Sequence, residues 1–183
     1  MKSTVSYVAL WLAAVGLALA LALASPTESS VMGRIPSFMS QTLAQQPMTV
    51  PEGLPSNRTL ALIAFKRSQH AQVESWIEGL NLRNDSSIAW MRMPVLNDPG
   101  TPQGRNAVKD KLLGHYPAED ERARLLPAFV NRELFIRSAG LNSAEQVYAV
   151  VLNRQGDVVA RVAGKFDPDK AETLRETLRA QGF

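Results

Sequence analysis

From Leu60 onward the chain alternates short apolar runs with stretches whose apolar residues return at helical spacing. Leu60-Ala61-Leu62-Ile63-Ala64-Phe65 is an unbroken apolar run, the pattern of a strand covered on both faces. Ser68 offers a helix cap, and Val73, Trp76, Ile77 and Leu80 then fall on one helical face. Ser87–Met93 reads as a second strand, centred on Ile88 and Trp90 and ended by Pro94, with Met91 and Met93 on the face opposite Trp90. Residues 97–102 form a loop, and Asn106–Leu113 a short helix stopped by Gly114. His115 to Arg124 carries no clear period.

Beyond it, Leu125–Val130 reads as a strand, and Asn131 as the cap of a short helix with Leu134 and Phe135, closed by Gly140. The last third is sharper. Val147–Leu152 is β-branched, Arg154-Gln155-Gly156-Asp157 is a turn, and Val158–Ala163 returns. Asp167 then caps a helix with Pro168 at its first position and Ala171, Leu174 and Leu178 facing inward. Strands alternating with helices and closing on a hairpin predict an α/β domain.

Upstream the pattern changes twice. Lys2 precedes an apolar run from Val8 to Ala24, and Ala22-Leu23-Ala24 has the small-x-small form of a cleavage site. Residues 1–24 are therefore expected to be a signal peptide or signal anchor, with membrane anchoring through residues 5–24 if the bond is not cut. Either form places the remainder outside the cytoplasm, in the periplasm or an equivalent compartment. Residues 25–57 are rich in Ser, Pro, Gln and Met without a period, and read as a flexible linker with a short edge strand near Met48–Val50. The folded domain is expected over 58–183.

Composition narrows the chemistry. The 183 residues contain no cysteine, which removes disulfides, thiolate nucleophiles and thiolate-bound metals. The net charge of +3 comes from intermixed charges with no Lys/Arg block or aromatic interleaving, so nucleic acid is not an expected partner. His70 and His115, the only histidines, stand far apart and in no zinc-binding spacing. No phosphate-binding loop or nucleophile elbow is present, and neither a metal nor a cofactor is expected.

Two segments carry a family resemblance. LALIAFKRSQHAQVESW resembles the strand, active-site loop and helix of thioredoxins; VYAVVLNRQGDVVARVAGKF resembles their closing hairpin, with its Asn-x-x-Gly turn and terminal glycine. The resemblance extends from about Thr59 to Ala180. It implies a thioredoxin-like fold: a central mixed sheet flanked by helices, a closing β-hairpin and a C-terminal helix. More narrowly, the chain resembles exported, cysteine-poor bacterial thioredoxin-like proteins related to the assembly factor of mitochondrial ATP synthase.

Counting from Phe65 puts the family's C-x-x-C on Gln69-His70-Ala71-Gln72, and glutamine supplies no thiolate. The approach to Val147, Ser143-Ala144-Glu145-Gln146, also lacks the family's cis-proline. Thiol exchange and cysteine-based peroxide reduction are thereby excluded. The resemblance implies instead a non-catalytic interaction module, serving a membrane or envelope complex as an assembly or chaperone-like adaptor. Its binding face would be the degenerate active-site surface of Lys66, Arg67, Ser68, Gln69, His70, Gln72 and Gln146, suited to a protein or extended peptide. The alternative is an enzyme of another type built on His70, with Arg67 or Gln72 as polar partner. A pocket at His70 would favour the enzyme; a shallow face beside an open strand edge would favour the module.

Overall fold

A computed structural model describes residues 32–179. The expected signal segment lies outside them, and among the described residues no helix is long and apolar enough to cross a membrane. A five-stranded sheet organises the domain. Its strands are β3 (Thr59–Ala64), β4 (Trp90–Asn97), β5 (Ala128–Val130), β6 (Tyr148–Leu152) and β7 (Val158–Ala163), in the order β5-β4-β3-β6-β7. β3 runs parallel to β4 and antiparallel to β6; β6 and β7 form the closing hairpin. Helices α1 (His70–Gly79), α2 (Pro102–Leu113), α3 (Glu119–Ala123), α4 (Arg132–Ser138) and α5 (Pro168–Arg179) complete the domain.

The central strand explains the double layering. Its side chains alternate, and both sets are apolar. Ala61 and Ile63 join Met91, Met93, Phe135 and Tyr148 in one core. Leu60 and Leu62 join Trp76, Ile77, Trp90, Ala171 and Leu174 in the other. Each face of the sheet thus has its own helix cover, α4 on one side and α1 with α5 on the other. Trp76 is fully buried and donates its indole N–H to the Gly164 carbonyl at 2.9 Å. Gly164 ends β7 at φ 89°, a left-handed conformation that suits glycine. In the hairpin turn, the Asn153 carboxamide oxygen accepts from the Gln155 and Asp157 amides at 3.0 and 2.8 Å.

Four local expectations are corrected. The first concerns the linker, which is folded from Met32 to Asn57. Phe38–Gln41 (β1) and Pro47–Val50 (β2) pair as an antiparallel hairpin, and Ile35, Leu43, Val50 and Leu54 are buried. Met32 donates to the Val158 carbonyl, and Val158 donates to the Gly33 carbonyl, so this segment extends the sheet edge at the start of β7.

Second, β4 does not end at Pro94. The Arg92–Leu125 bridge and the Val95–Ala128 pair share one register, which sets Pro94 level with Pro127. Neither proline has an N–H to offer, so the ladder skips a rung and resumes. Third, α2 begins at Pro102 rather than near Asn106, with Thr101 accepting from the Gly104 amide at 3.1 Å. Fourth, Ser68 caps nothing: it lies inside a 3₁₀ turn, Arg67–Gln69, that feeds α1.

Candidate functional site

The C-terminal ends of the parallel strands β3 and β4 open toward one side, the usual place for a ligand on an α/β sheet. There the chain leaves β3 through Phe65 and Lys66, makes the 3₁₀ turn and enters α1. Gln69 holds this turn closed. Its Oε1 accepts from the Phe65 and Lys66 amides at 2.8 and 3.1 Å, and its Nε2 donates to the Ala144 carbonyl at 2.8 Å. The side chain is 3% exposed. At the position that counting assigns to the first cysteine, a carboxamide therefore joins the turn to the segment before β6. Gln69 is a structural tie and not part of an open contact face, which corrects the expectation.

The other expected residues distribute unevenly. Lys66, Arg67, Ser68, His70 and Gln146 are exposed, and Gln72 is half-buried. Lys66 pairs with Glu145 at 2.5 Å, so a second link joins the turn to the approach of β6. Arg67 donates to His115 Nε2. The other imidazole nitrogen, Nδ1, lies 2.7 Å from the Lys111 carbonyl and must donate to it, which fixes His115 as the neutral Nδ1–H form. His70 Nδ1 lies 3.1 Å from the Tyr116 hydroxyl, and its ring meets Tyr116 edge to face. Neither Arg67 nor Gln72 is the partner expected for His70.

Lys66, Arg67 and His70 come together on the wall of a cavity of about 510 Å³; Ser68, Gln69, Gln72 and Gln146 do not line it. α2 and the residues after it supply the opposite wall through Val108, Lys111, Leu112, His115 and Tyr116. Sequence reasoning missed this wall, because nothing local places the helix bearing Val108, Lys111 and Leu112, or the aperiodic stretch with His115 and Tyr116, opposite α1.

Arg92, also on the cavity wall, is 3% exposed. Its Nη2 donates to Glu74 at 2.5 Å and lies 3.4 Å from Glu121. Among the described residues its Nε and Nη1 have no hydrogen-bond partner. The guanidinium sits 5.1 Å from the Tyr116 ring centre and 5.8 Å from that of Trp90, within cation–π range. Arg83 binds the same two carboxylates at 2.7 and 2.8 Å, giving two cations against two anions. Burial pushes the Glu121 carboxyl up, but hydrogen bonds from Arg83 and Arg92 and the Arg92 charge outweigh it and hold the group below the ordinary range. The signal for Arg92 was visible: one charged residue in the apolar run Trp90-Met91-Arg92-Met93.

Two groups beside His70 bear on what this wall can do chemically. Burial pushes the Tyr116 hydroxyl above its ordinary range, against the opposing Arg92 charge, so the phenol beside His70 is made harder to ionise. Glu74, which could orient His70 as a base, stands 3.9 Å from its Nε2 and is held by Arg92 instead. An activated nucleophile needs the reverse of both conditions. Among the described residues no group of three or more His, Asp or Glu side chains is placed to hold a metal ion.

No family model matches the sequence. No curated protein matches it either. Solved structures do. A member of the Sco family of cytochrome c oxidase assembly proteins is similar with a TM-score of 0.53 and 14% identity, covering 81% of this chain and 92% of that one. The exposed lipoprotein thioredoxin of Streptococcus pneumoniae strain TIGR4 gives 0.50 and 11%, covering 79% and 99%. A thiol:disulfide interchange protein of the thioredoxin family from Chlorobium tepidum TLS gives 0.50 and 12%, covering 80% and 96%. At such identities the likeness is one of fold, and the fold is thioredoxin-like, here in a chain without cysteine.

Proposed function

We propose that this chain is a non-catalytic interaction module working outside the cytoplasm, an assembly or chaperone-like adaptor for an envelope or membrane complex. The observation that carries the reading is Gln69. On the thioredoxin-like frame, the position that counting from Phe65 assigns to the first cysteine holds a buried carboxamide bonded at both ends. A group so engaged offers nothing to a reacting atom, and it fixes the shape of the surface above it. That surface presents Lys66, Arg67, Ser68 and His70, with Gln146 on the adjoining segment, to a protein or peptide partner.

The apolar N-terminal run after Lys2 supports the compartment in this reading. The adaptor role draws on the resemblance to the relatives of the ATP synthase assembly factor. The Sco protein, named as an assembly protein, has a similar fold. The cavity at His70 speaks for the alternative enzyme, yet its tyrosine is pushed away from ionisation and its carboxylate is engaged elsewhere.

The test is photocrosslinking from native membranes with a photoreactive residue at Ser68, which is exposed, rather than at the buried Gln69. One envelope complex should be recovered, and lost when Lys66→Glu and Arg67→Glu are combined. Absence of any trapped protein from probes at both Ser68 and Gln146 would overturn the adaptor reading.

A further inference from the structure

The cavity has features that a protein-contact face does not require. Its volume of about 510 Å³ falls within the range of small-molecule sites, roughly 300–1,000 Å³. Val73, Leu96, Val108, Leu112 and Leu125 give it an apolar lining. Helix α2, which contributes Val108 and Leu112, has no fully buried residue in its twelve positions. A helix normally takes most of its stability from packing an apolar face, and here that face looks onto the cavity.

The charges at the mouth are one-sided. Lys66, Arg67, Arg92 and Lys111 line the cavity together with both histidines, and among the described residues no carboxylate does. Some of these cations are neutralised: Lys66 by Glu145, and Arg92 within the balanced network with Arg83, Glu74 and Glu121. Two are not. Arg67 has a neutral imidazole as its partner, and Lys111 forms no ion pair among the described residues. Arg92 lines the same cavity, more than nine-tenths buried and with Nε and Nη1 unpartnered among the described residues. An anion in the cavity would gain from the uncompensated charges of Arg67 and Lys111 in a partly desolvated setting.

We propose that this cavity binds a small amphipathic monocarboxylate, its apolar chain lying on Val73, Val108 and Leu112 and its carboxylate facing Arg67 and Lys111. The site shares Arg67 with the adaptor surface but can be tested apart from it, because neither Val108 nor Lys111 belongs to that surface. Charge complementarity selects the headgroup, and the apolar lining selects a hydrocarbon body over a sugar or nucleotide. A small molecule fits the concave shape better than a protein surface does.

The experiment is a titration of the full chain with decanoate and, separately, with decylamine, both below micelle formation and followed by amide chemical shifts. Decanoate should move the amides of Val73, Val108, Leu112 and Tyr116, and should bind roughly tenfold or more tightly than the cationic amphiphile of equal length. Val108→Trp should abolish binding by filling the cavity. Lys111→Glu, on an exposed helix end, should cost decanoate about tenfold and improve decylamine. Equal binding of the two amphiphiles, shifts outside the cavity, or unchanged decanoate affinity in Lys111→Glu would each overturn the proposal. Displacement of decanoate by a far tighter peptide with an apolar C-terminal residue would reassign the cavity to a chain end and overturn it too.

Discussion

Gln69, just past the C-terminal end of β3, and Arg92, within β4, are both polar and both 3% exposed, yet their surroundings differ. Gln69 has its oxygen shared by two amides and its nitrogen on a carbonyl. Arg92 has Nη2 on two carboxylates, while Nε and Nη1 point at no acceptor. Burying a polar group is costly unless its hydrogen bonds are replaced. A fully replaced set, as at Gln69, fixes a backbone turn. An incomplete set beside an apolar cavity leaves capacity for a ligand. The turn after β3 is thus framework at Gln69, and the unused bonding capacity lies on the cavity wall at Arg92.

The sharpest way to break this contrast is to remove the main partner of Arg92. Glu74→Ala leaves the buried guanidinium with Glu121 alone at 3.4 Å. The expected loss is about 2–4 kcal/mol in urea unfolding, toward the low side because water reaches the glutamate. Adding Arg92→Met should restore much of that stability, since the pair removed together leaves no unpaired charge. A small effect of Glu74→Ala, with no rescue by the second substitution, would mean that Arg92 is already solvated and not a buried charge.

The Gln69 side is tested next. Gln69→Ala unpairs the Phe65 and Lys66 amides and the Ala144 carbonyl at once. A loss of about 2–3 kcal/mol is expected, with faster hydrogen exchange at Phe65 and Lys66. Gln69→Cys should cost a similar amount, because a thiol reaches none of these partners with comparable strength. If Gln69→Cys were as stable as the parent, the glutamine would be a tolerated replacement and not the tie described here.

How far these features are legible in the sequence depends on whether neighbouring residues carry the signal. β3, the β6–β7 hairpin and the helix after Asp167-Pro168 depend on local runs, turn residues and caps. The Asp167 carboxylate accepts from the Asp169 amide as its position implied, and Asn131 accepts from Leu134 in the same way. The N-terminal hairpin is held instead by Ile35, Val50 and Leu54, single apolar residues in a polar background whose partners are distant in sequence. Pro94 signalled a strand end, and only its alignment with Pro127 across the ladder removes the conflict. Gln69 was found but assigned to the surface, since nothing local reveals the carbonyl of Ala144. The cavity wall needs α2 and Tyr116 to be placed against α1, which no period encodes.

Acid should separate the two sites with a smaller effect. Glu121, lowered in the folded state, binds its proton earlier in the unfolded chain. Its contribution is therefore present above the unfolded carboxylate range, about 4.3, and is lost as pH falls through the lower folded value. The Gln69 tie contains no titrating group. Fluorescence of Trp90, which lies against Arg92 and Arg124, should report loosening on that wall as pH falls below about 4. Exchange at Phe65 and Lys66, corrected for the intrinsic rate, should not change with it. Glu121→Gln should flatten the fluorescence response; an unchanged profile would remove the carboxylate from the explanation.

The smallest effect is expected where the structure draws its most conspicuous ion pair. Lys66–Glu145 spans the same two segments as the Gln69–Ala144 hydrogen bond, at 2.5 Å, but its side chains are 43% and 71% exposed. Water and salt screen both partners, and holding two long side chains in one geometry costs entropy. Glu145→Gln should therefore change stability by no more than about 0.5 kcal/mol, and still less at high salt. A change comparable to Gln69→Ala would mean that charge, and not the buried carboxamide, closes the turn. With the expected small change, Lys66 is left free to exchange Glu145 for an acidic partner without loosening the framework beneath it.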